Sequence, residues 1–514
     1  MIFSLWGTDK LLKDISVDIW VVMKMEIEET YDLSYAKRAV AVLVLLPLIV
    51  MYTEAVLIPS LPTIQKEFGI TPGDASWILS IYLLVGTVSV AIMGKLGDMY
   101  GKKKMFITAL SFYTAGVILN GFAPSYEWLL FSRGMQGIGM AIFPLGFSLV
   151  REEFPPEMVP EVQGMISAMF AVGMVIALPL GAYISQNYGW RWTYHSVVPF
   201  AILMLILSVL ILRESRYITP GKLDIGGILL LMAFVVPAIV AVTKAPTVGW
   251  KNTQTIGLLG ISALAFVLLI FYEKRVENPL IPISVISSRN PMIANLGIMM
   301  AGFGIQMMNQ ANTYILQMPE PYGFGKTILQ SGLLMTPNAM VMLVVAPLTG
   351  KLMVKFGVRI FATLGAVIGG IGLMLLAKFA TSSSLPGFIA LIVLTGIGIT
   401  LMNVSLINVL IFSVDRRVMG VATGANSLFR SFGSTWGPAI AGTVMTTYSR
   451  IITIPANPPM HFMIPTDKAY EVLFSSSAAV FFLLFLISFG IKEVFKGGFE
   501  KGGMYKSATV EDAL

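Results

Sequence analysis

The chain has 514 residues, of which 56% are hydrophobic and only 12% charged, with a formal net charge of +7 and no Cys. That charge share is about half that of a soluble domain, and the mean hydropathy is +0.80. The composition excludes a disulfide scaffold, a thiol nucleophile and an iron–sulfur site, and two His are too few for a histidine-rich metal site. The positive charge is spread through short segments between apolar runs, so it reads as a topology signal and excludes a nucleic-acid patch.

Residues 1–36 mix charges with Leu12, Ile15, Ile19 and Trp20 at helical spacing. They fit either an interfacial amphipathic helix or a dispensable leader ahead of a start at Met23 or Met25. Apolar runs follow at 39–60, 77–93, 105–123, 128–150, 164–186, 193–212, 224–243, 256–272, 292–318, 329–349, 358–380, 386–412, 420–448 and 471–491. Runs of about 20 residues cross about 30 Å of hydrocarbon as helices. Backbone groups in lipid must bond within their own segment, which rules out other structures for runs this long. Fourteen spans put both termini on one side. Sorted by alternate connections, 22 Lys and Arg fall on that side and eight on the other. The positive-inside rule therefore makes both termini cytoplasmic, in a multi-pass plasma-membrane protein.

A repeat organises the runs. GKLGDMYGKKKMF at 94–106 lies between the second and third, and GKLMVKFG at 350–357, 256 residues later, lies between the tenth and eleventh. The spacing predicts an all-α membrane protein built of two pseudosymmetric six-helix bundles, 39–212 and 292–491. The 213–291 linker adds two transmembrane helices, and 1–38 and 492–514 are cytoplasmic tails. Parallel six-span repeats are a transporter architecture, with the substrate site between the halves near the midplane.

Glu54 and Arg133 stand out by depth. Span one runs outward from about residue 39, which puts Glu54 about 8 Å below the outer edge of the core; span four runs inward, which puts Arg133 about 9 Å below the same edge. An ionised side chain there costs roughly 2.5–3.5 kcal/mol on insertion scales. Both should face a central cavity, with Glu54 exchanging a proton with substrate and Arg133 setting its hold on that proton. In the ninth run Gln306, Asn309, Gln310 and Asn312 form a polar patch that hydrogen-bonds either a substrate or neighbouring helices. Arg430 serves either cytoplasmic closure or inter-helix pairing.

Gly94-Lys95-Leu96-Gly97-Asp98-Met99-Tyr100-Gly101-Lys102-Lys103 resembles the loop motif G-x-L-x-D-x-x-G-[RK]-[RK] of the major facilitator superfamily. Leu129, Arg133, Gln136, Gly137 and Gly139 resemble its fourth-span motif, and Gly189-Trp190-Arg191-Trp192 the G-W-R-W of drug:proton antiporters. Asp224-Ile225-Gly226-Gly227, Asn278-Pro279-Leu280 and Gly420 to Gly437 with Arg430 are similar to the fourteen-span branch of those antiporters. The resemblance implies that Gly94, Asp98, Gly101, Lys102 and Lys103 latch the cytoplasmic ends of the bundles. It also marks Gly173, Pro179 and Gly181 as the antiporter-motif hinge. Three positions depart from the pattern: the fifth-span motif is one residue short with Leu178 for its first Gly, Thr53 holds the acid's usual place beside Glu54, and Val354 replaces Asp in the second loop.

The expected function is proton-coupled efflux of amphipathic drugs or metabolites by alternating access. The alternatives are a uniporter or importer of a polar small molecule, or a membrane receptor. No phosphate-binding loop, metal cluster or nucleophile–base pair occurs in the sequence, so neither an enzyme nor a cofactor is expected. The partners are a small-molecule substrate, the proton and the bilayer.

Overall fold

The protein is described from a computed structural model, which covers residues 32–494 apart from 156–157, 216–217, 219–223, 277–278, 280–286, 321, 415–418 and 455–459. The amphipathic or dispensable segment within 1–31, the motif positions Asn278 and Leu280, and the basic residues Arg416 and Arg417 lie outside the described residues, as does the tail beyond 494.

Helix α1 (Leu33–Ala55) starts where the Asp32 carboxylate accepts from the Tyr35 N–H at 2.9 Å. A 3₁₀ turn leads to α2 (Leu61–Phe68), and α3 (Pro72–Tyr100) opens on a Thr71–Asp74 capping box. There follow α4 (Lys102–Gly121), α5 (Tyr126–Gly137), α6 (Ile142–Glu153), α7 (Val159–Tyr188), α8 (Trp190–His195) and α9 (Val198–Ile211). The linker holds α10 (Ile225–Val248) and α11 (Thr253–Glu273). The chain continues through α12 (Arg289–Gln317), α13 (Ile328–Phe356), α14 (Val358–Phe379), α15 (Leu385–Ser413), α16 (Met419–Thr447) and α17 (Asp467–Ser488).

Each expected apolar run coincides with one of these helices or with a consecutive pair. The fourth run is broken by a 3₁₀ turn at Ile138–Ala141 and the sixth at Ser196–Val197. Eleven helical segments among the described residues are long and apolar enough to cross a membrane. The others are α4, which opens on three lysines, the broken α5–α6, and α16, which carries Arg430. One element is new: an antiparallel hairpin of β1 (Ser449–Ile454) and β2 (Met460–Pro465), pairing Ser449 with Pro465 and Ile454 with Met460. The β-branched stretch Ile451-Ile452-Thr453-Ile454 suits a strand and is too short to span.

We call the end where α1 begins and α17 finishes the near end, and the other the far end. The repeat is visible in both ends of one helix: α3 and α13 each have 29 residues, each opens on a capping box, and they are offset by 256 residues throughout. Each stops at a glycine in a conformation that disfavours a side chain, Gly101 at φ 106° and Gly357 at φ 92°.

Helices pack where small residues let backbones approach. A Cβ on Gly173 of α7 would lie 2.7 Å from the Leu48 carbonyl oxygen, and one on Gly181 would strike Val56, so one face of α7 is fitted to α1. Its other face receives Gly332 of α13, where a Cβ would collide with the Leu178 carbonyl and Ala182. The expected hinge residues thus line a helix held between two others, with Pro179 inside it. The linker helices sit at a seam: α10 packs on both α3 and α16. The Trp77 indole N–H donates to Thr243 at 3.0 Å and the Thr443 hydroxyl to the Val242 carbonyl at 3.0 Å. Phe234 of α10 stacks on Phe432 of α16 at 5.4 Å. Large apolar side chains such as Leu210, Leu229, Leu264 and Phe482 face outward, as a lipid-facing surface requires.

Gly433 of α16 tests this packing, because a Cβ there would run into the Met299 carbonyl of α12, which is backbone and cannot swing aside. Gly433→Val should destabilise the protein by about 1–3 kcal/mol or more, read as a lowered thermal unfolding midpoint in detergent. An unchanged midpoint would contradict the packing.

Candidate functional site

Between α1, α3, α4, α5 and α8 the structure buries an unusual number of polar groups. Arg133 of α5 has no exposed surface. Its Nε donates to the Ile78 carbonyl at 3.0 Å and its Nη1 to Gln136 Oε1 at 3.0 Å, while its guanidinium carbon stands 4.6 Å from the centre of the Tyr82 ring. Gln136 Oε1 also accepts from Asn120 Nδ2 at 2.8 Å, and Asn120 Oδ1 accepts from Ser132 at 2.7 Å. Thr53, in the place expected for an acid, is fully buried and hydrogen-bonded to Tyr113 Oη at 2.7 Å. Glu54 beside it is half-buried, within electrostatic range of Arg133, and makes no hydrogen bond or ion pair among the described residues. The sequence-predicted pair is thus brought together without touching. Among the described residues, Arg133 Nη2, Gln136 Nε2, Tyr82 Oη and Tyr194 Oη are buried with no partner in good hydrogen-bond geometry, although Tyr194 stands against the guanidinium. Tyr82, Tyr113 and Tyr194 carry no signal in the sequence, where a tyrosine inside an apolar run reads as packing.

The polar patch of α12 lies toward the far end, and there it joins the two halves of the chain. Gln310 donates to Ser76 of α3, Tyr314 Oη donates to Gln65 Oε1 at 2.7 Å, and Gln317 donates to the Pro59 carbonyl at 2.6 Å. The Gly73 N–H donates to Thr446 at 2.9 Å, the Leu329 N–H to Gln186 at 2.9 Å, and Gln65 Nε2 to the Met463 carbonyl of β2 at 2.9 Å. These cross-half bonds gather at the far end. Asn309 meets Gln306 at 3.4 Å, and Asn312, almost wholly buried, leaves both amide atoms without a partner. Gly189-Trp190-Arg191-Trp192 pins the same end. Glu67 of α2 accepts from Trp190 Nε1 at 2.7 Å and from Arg191 at 2.6 Å, and Arg191 also donates twice to the Ala123 carbonyl.

At the near end, Lys102 pairs with Glu152 of α6 and, at 3.6 Å, with Asp98, which is half exposed. Gly94 has open space where a side chain would start. After Gly101, the Lys103 and Lys104 N–H groups donate to the Glu214 carboxylate at 3.0 and 3.2 Å, and Lys103 Nζ donates to the Val209 carbonyl. The repeat has the same device: after Gly357 the Val358 and Arg359 N–H groups donate to Glu493 at 2.9 and 3.2 Å. A carboxylate at a helix N-terminus satisfies donors that the helix leaves open. The sequence offered a sign, since Arg213-Glu214 and Lys492-Glu493 each directly follow the sixth run of a half. Asp32 is tied to Arg213 at 2.7 Å. Ser34, the Tyr35 N–H and Arg213 together hold the Asp32 carboxyl well below the usual carboxylate range. Arg430 of α16 is exposed.

Helices α3 and α13 thus repeat at an offset of 256 residues, each ending at a glycine that is followed by a carboxylate-capped helix start. A family model described as Major Facilitator Superfamily matches residues 43–438. The chain belongs to the Major Facilitator Superfamily. It is a membrane transporter and not an enzyme. Multidrug resistance protein 3 of Bacillus subtilis (strain 168) is 29% identical over 374 residues, covering 72% of each chain. Multidrug resistance protein Stp of Mycobacterium tuberculosis (strain CDC 1551 / Oshkosh) is 28% identical over 406 residues, covering 78% of this chain and 75% of that one. The crystal structure of a bacterial homolog of the human lysosomal transporter Spinster, inward-facing and unoccupied, superposes with a TM-score of 0.63 at 15% identity, over 89% of this chain and 98% of that one. That likeness is one of fold.

The paired caps carry a prediction. Glu214→Ala or Glu493→Ala leaves two helix-start N–H groups without their acceptor and should cost about 0.5–2 kcal/mol. Thermal unfolding of each purified variant, with the double variant close to additive, would check it.

Proposed function

We propose that this transporter exports amphipathic drugs or metabolites in exchange for protons, by alternating access between two six-helix bundles, 39–212 and 292–491. The observation that carries this reading is Glu54: a carboxyl with no hydrogen bond or ion pair among the described residues, in range of an arginine that is itself held by Ile78, Gln136 and Tyr82. A carboxyl so placed can gain and lose a proton without breaking the surrounding structure. Relatives called multidrug resistance proteins support the drug-efflux part.

In this reading the chain crosses the plasma membrane fourteen times, with the near end and both termini in the cytoplasm, as the distribution of Lys and Arg favours. The far-end hydrogen bonds then belong to the state closed to the outside. Asp98, Gly101, Lys102 and Lys103, with Gly94 and Arg430, serve closure of the cytoplasmic end in the other state. Gln306, Asn309 and Asn312 contact substrate, and Gln310 alternates between substrate and Ser76. Gly173, Pro179 and Gly181 let α7 shift between α1 and α13.

Glu54→Gln in proteoliposomes should keep binding of an amphipathic dye such as ethidium and should keep dye exchange at zero gradient. Proton-driven accumulation should fall, by as much as about fiftyfold for each 100 mV of driving force removed. Accumulation equal to that of the parent would defeat the proposal.

A further inference from the structure

Among the described residues, Arg133 Nη2, Gln136 Nε2, Tyr82 Oη and Tyr194 Oη form a buried cluster with no partner in good hydrogen-bond geometry, and Arg133 and Tyr82 of this cluster lie in the electrostatic range of Glu54. Leaving such groups unpaired is costly, and here they surround one guanidinium. Arg133 lies over the Tyr82 ring at 4.6 Å, bonds Gln136 at 3.0 Å, and has Tyr194 against it. All four can donate. The carboxyl group in range that lacks a partner is Glu54. Tyr82 lies in the field of both charges. It sits on α3, has no exposed surface, carries Arg133 on its ring face, and its hydroxyl lies in the field of Glu54.

We propose that Tyr82 is a positioning residue of the coupling site: its hydroxyl, together with Arg133 Nη2, receives the Glu54 carboxylate once that group has lost its proton. The protonated carboxyl stays unattached. The deprotonated one is drawn across to the donors, so loss of the proton adds a tie from α1 to α3 and α5. This rests on the proton-exchange reading of Glu54. The groups that face Glu54 are Arg133 from α5, Tyr82 from α3, and, behind it, Tyr113 from α4 and Tyr194 from α8. Tyr113 is already engaged with Thr53 and the Ile49 carbonyl, so Tyr82 is the free neutral donor on the Glu54 side.

A hydrogen bond made only to the anion favours deprotonation. Removing it leaves the proton bound to higher pH. Tyr82→Phe keeps the ring under Arg133 and deletes the donor, so it should shift the midpoint of the pH profile of ethidium transport alkaline by about 0.5–1 unit. Proteoliposomes assayed from pH 5.5 to 9 would read this, together with ethidium binding to the detergent-solubilised protein. A ring-only role would leave the midpoint in place. Should Tyr82→Phe fail to yield folded transporter, proton release on ethidium binding, measured in weakly buffered solution for the parent and for Tyr194→Phe, supplies the second reading. Release by the parent with an acid-limb midpoint unmoved in Tyr194→Phe supports Tyr82 as the donor, and a shift in Tyr194→Phe as large as that predicted for Tyr82→Phe overturns it. An unshifted midpoint in Tyr82→Phe, with Glu54→Gln uncoupled, overturns this proposal and leaves the coupling reading standing. A parent protein whose transport ignores the proton gradient overturns both.

Discussion

A guanidinium with no exposed surface in the middle of an apolar bundle is the constraint from which the first half of this protein is built. Arg133 cannot shed its charge, so every nearby element must present it something polar or polarisable. Helix α3 offers the Ile78 carbonyl and the Tyr82 ring, and α5 offers Gln136 one turn on. Gln136 is itself held by Asn120 of α4, and Asn120 by Ser132. A chain of neutral side chains therefore fixes one cation, and through it the mutual placement of three helices. Glu54, on a fourth, is left outside that chain.

The two ends of the molecule are held by different chemistry. At the far end the joints between the halves use amides, hydroxyls and backbone groups of Gln65, Ser76, Gln310, Tyr314 and Gln317. Each such bond between membrane helices is worth about 1 kcal/mol or less, so the set can form and part with modest changes in free energy. At the near end, carboxylates of Glu152, Glu214 and Glu493 meet lysine or helix N-termini within one half, and these make each half a stiffer body. The joints between the halves are thus softer than those within them.

Much of this was legible in the sequence. Apolar runs gave every long helix because the length of a run in lipid leaves no other structure, and the repeated GKL loops located the symmetry that α3 and α13 display. Arg133 was found because a charge in such a run is conspicuous. Its partner set was not, because Tyr82, Tyr194 and Ser132 are residues that apolar helices carry for many reasons, and only the fold turns them toward one point. The hairpin at 449–465 escaped notice since its strands are shorter than a span and alternate weakly. The polarity of Gln310 reads equally as a ligand contact or an interhelical bond, and its partner Ser76, more than 200 residues away, is supplied only by the fold.

The linker helix α10 touches both sides of the seam, with Trp77 bonded to Thr243 and Thr443 to the Val242 carbonyl. A strut fastened to two bodies cannot follow both when they separate. Any motion that parts α3 from α16 at the far end must cut one of these fastenings, and the linker pair then rides as cargo on whichever side keeps its bond.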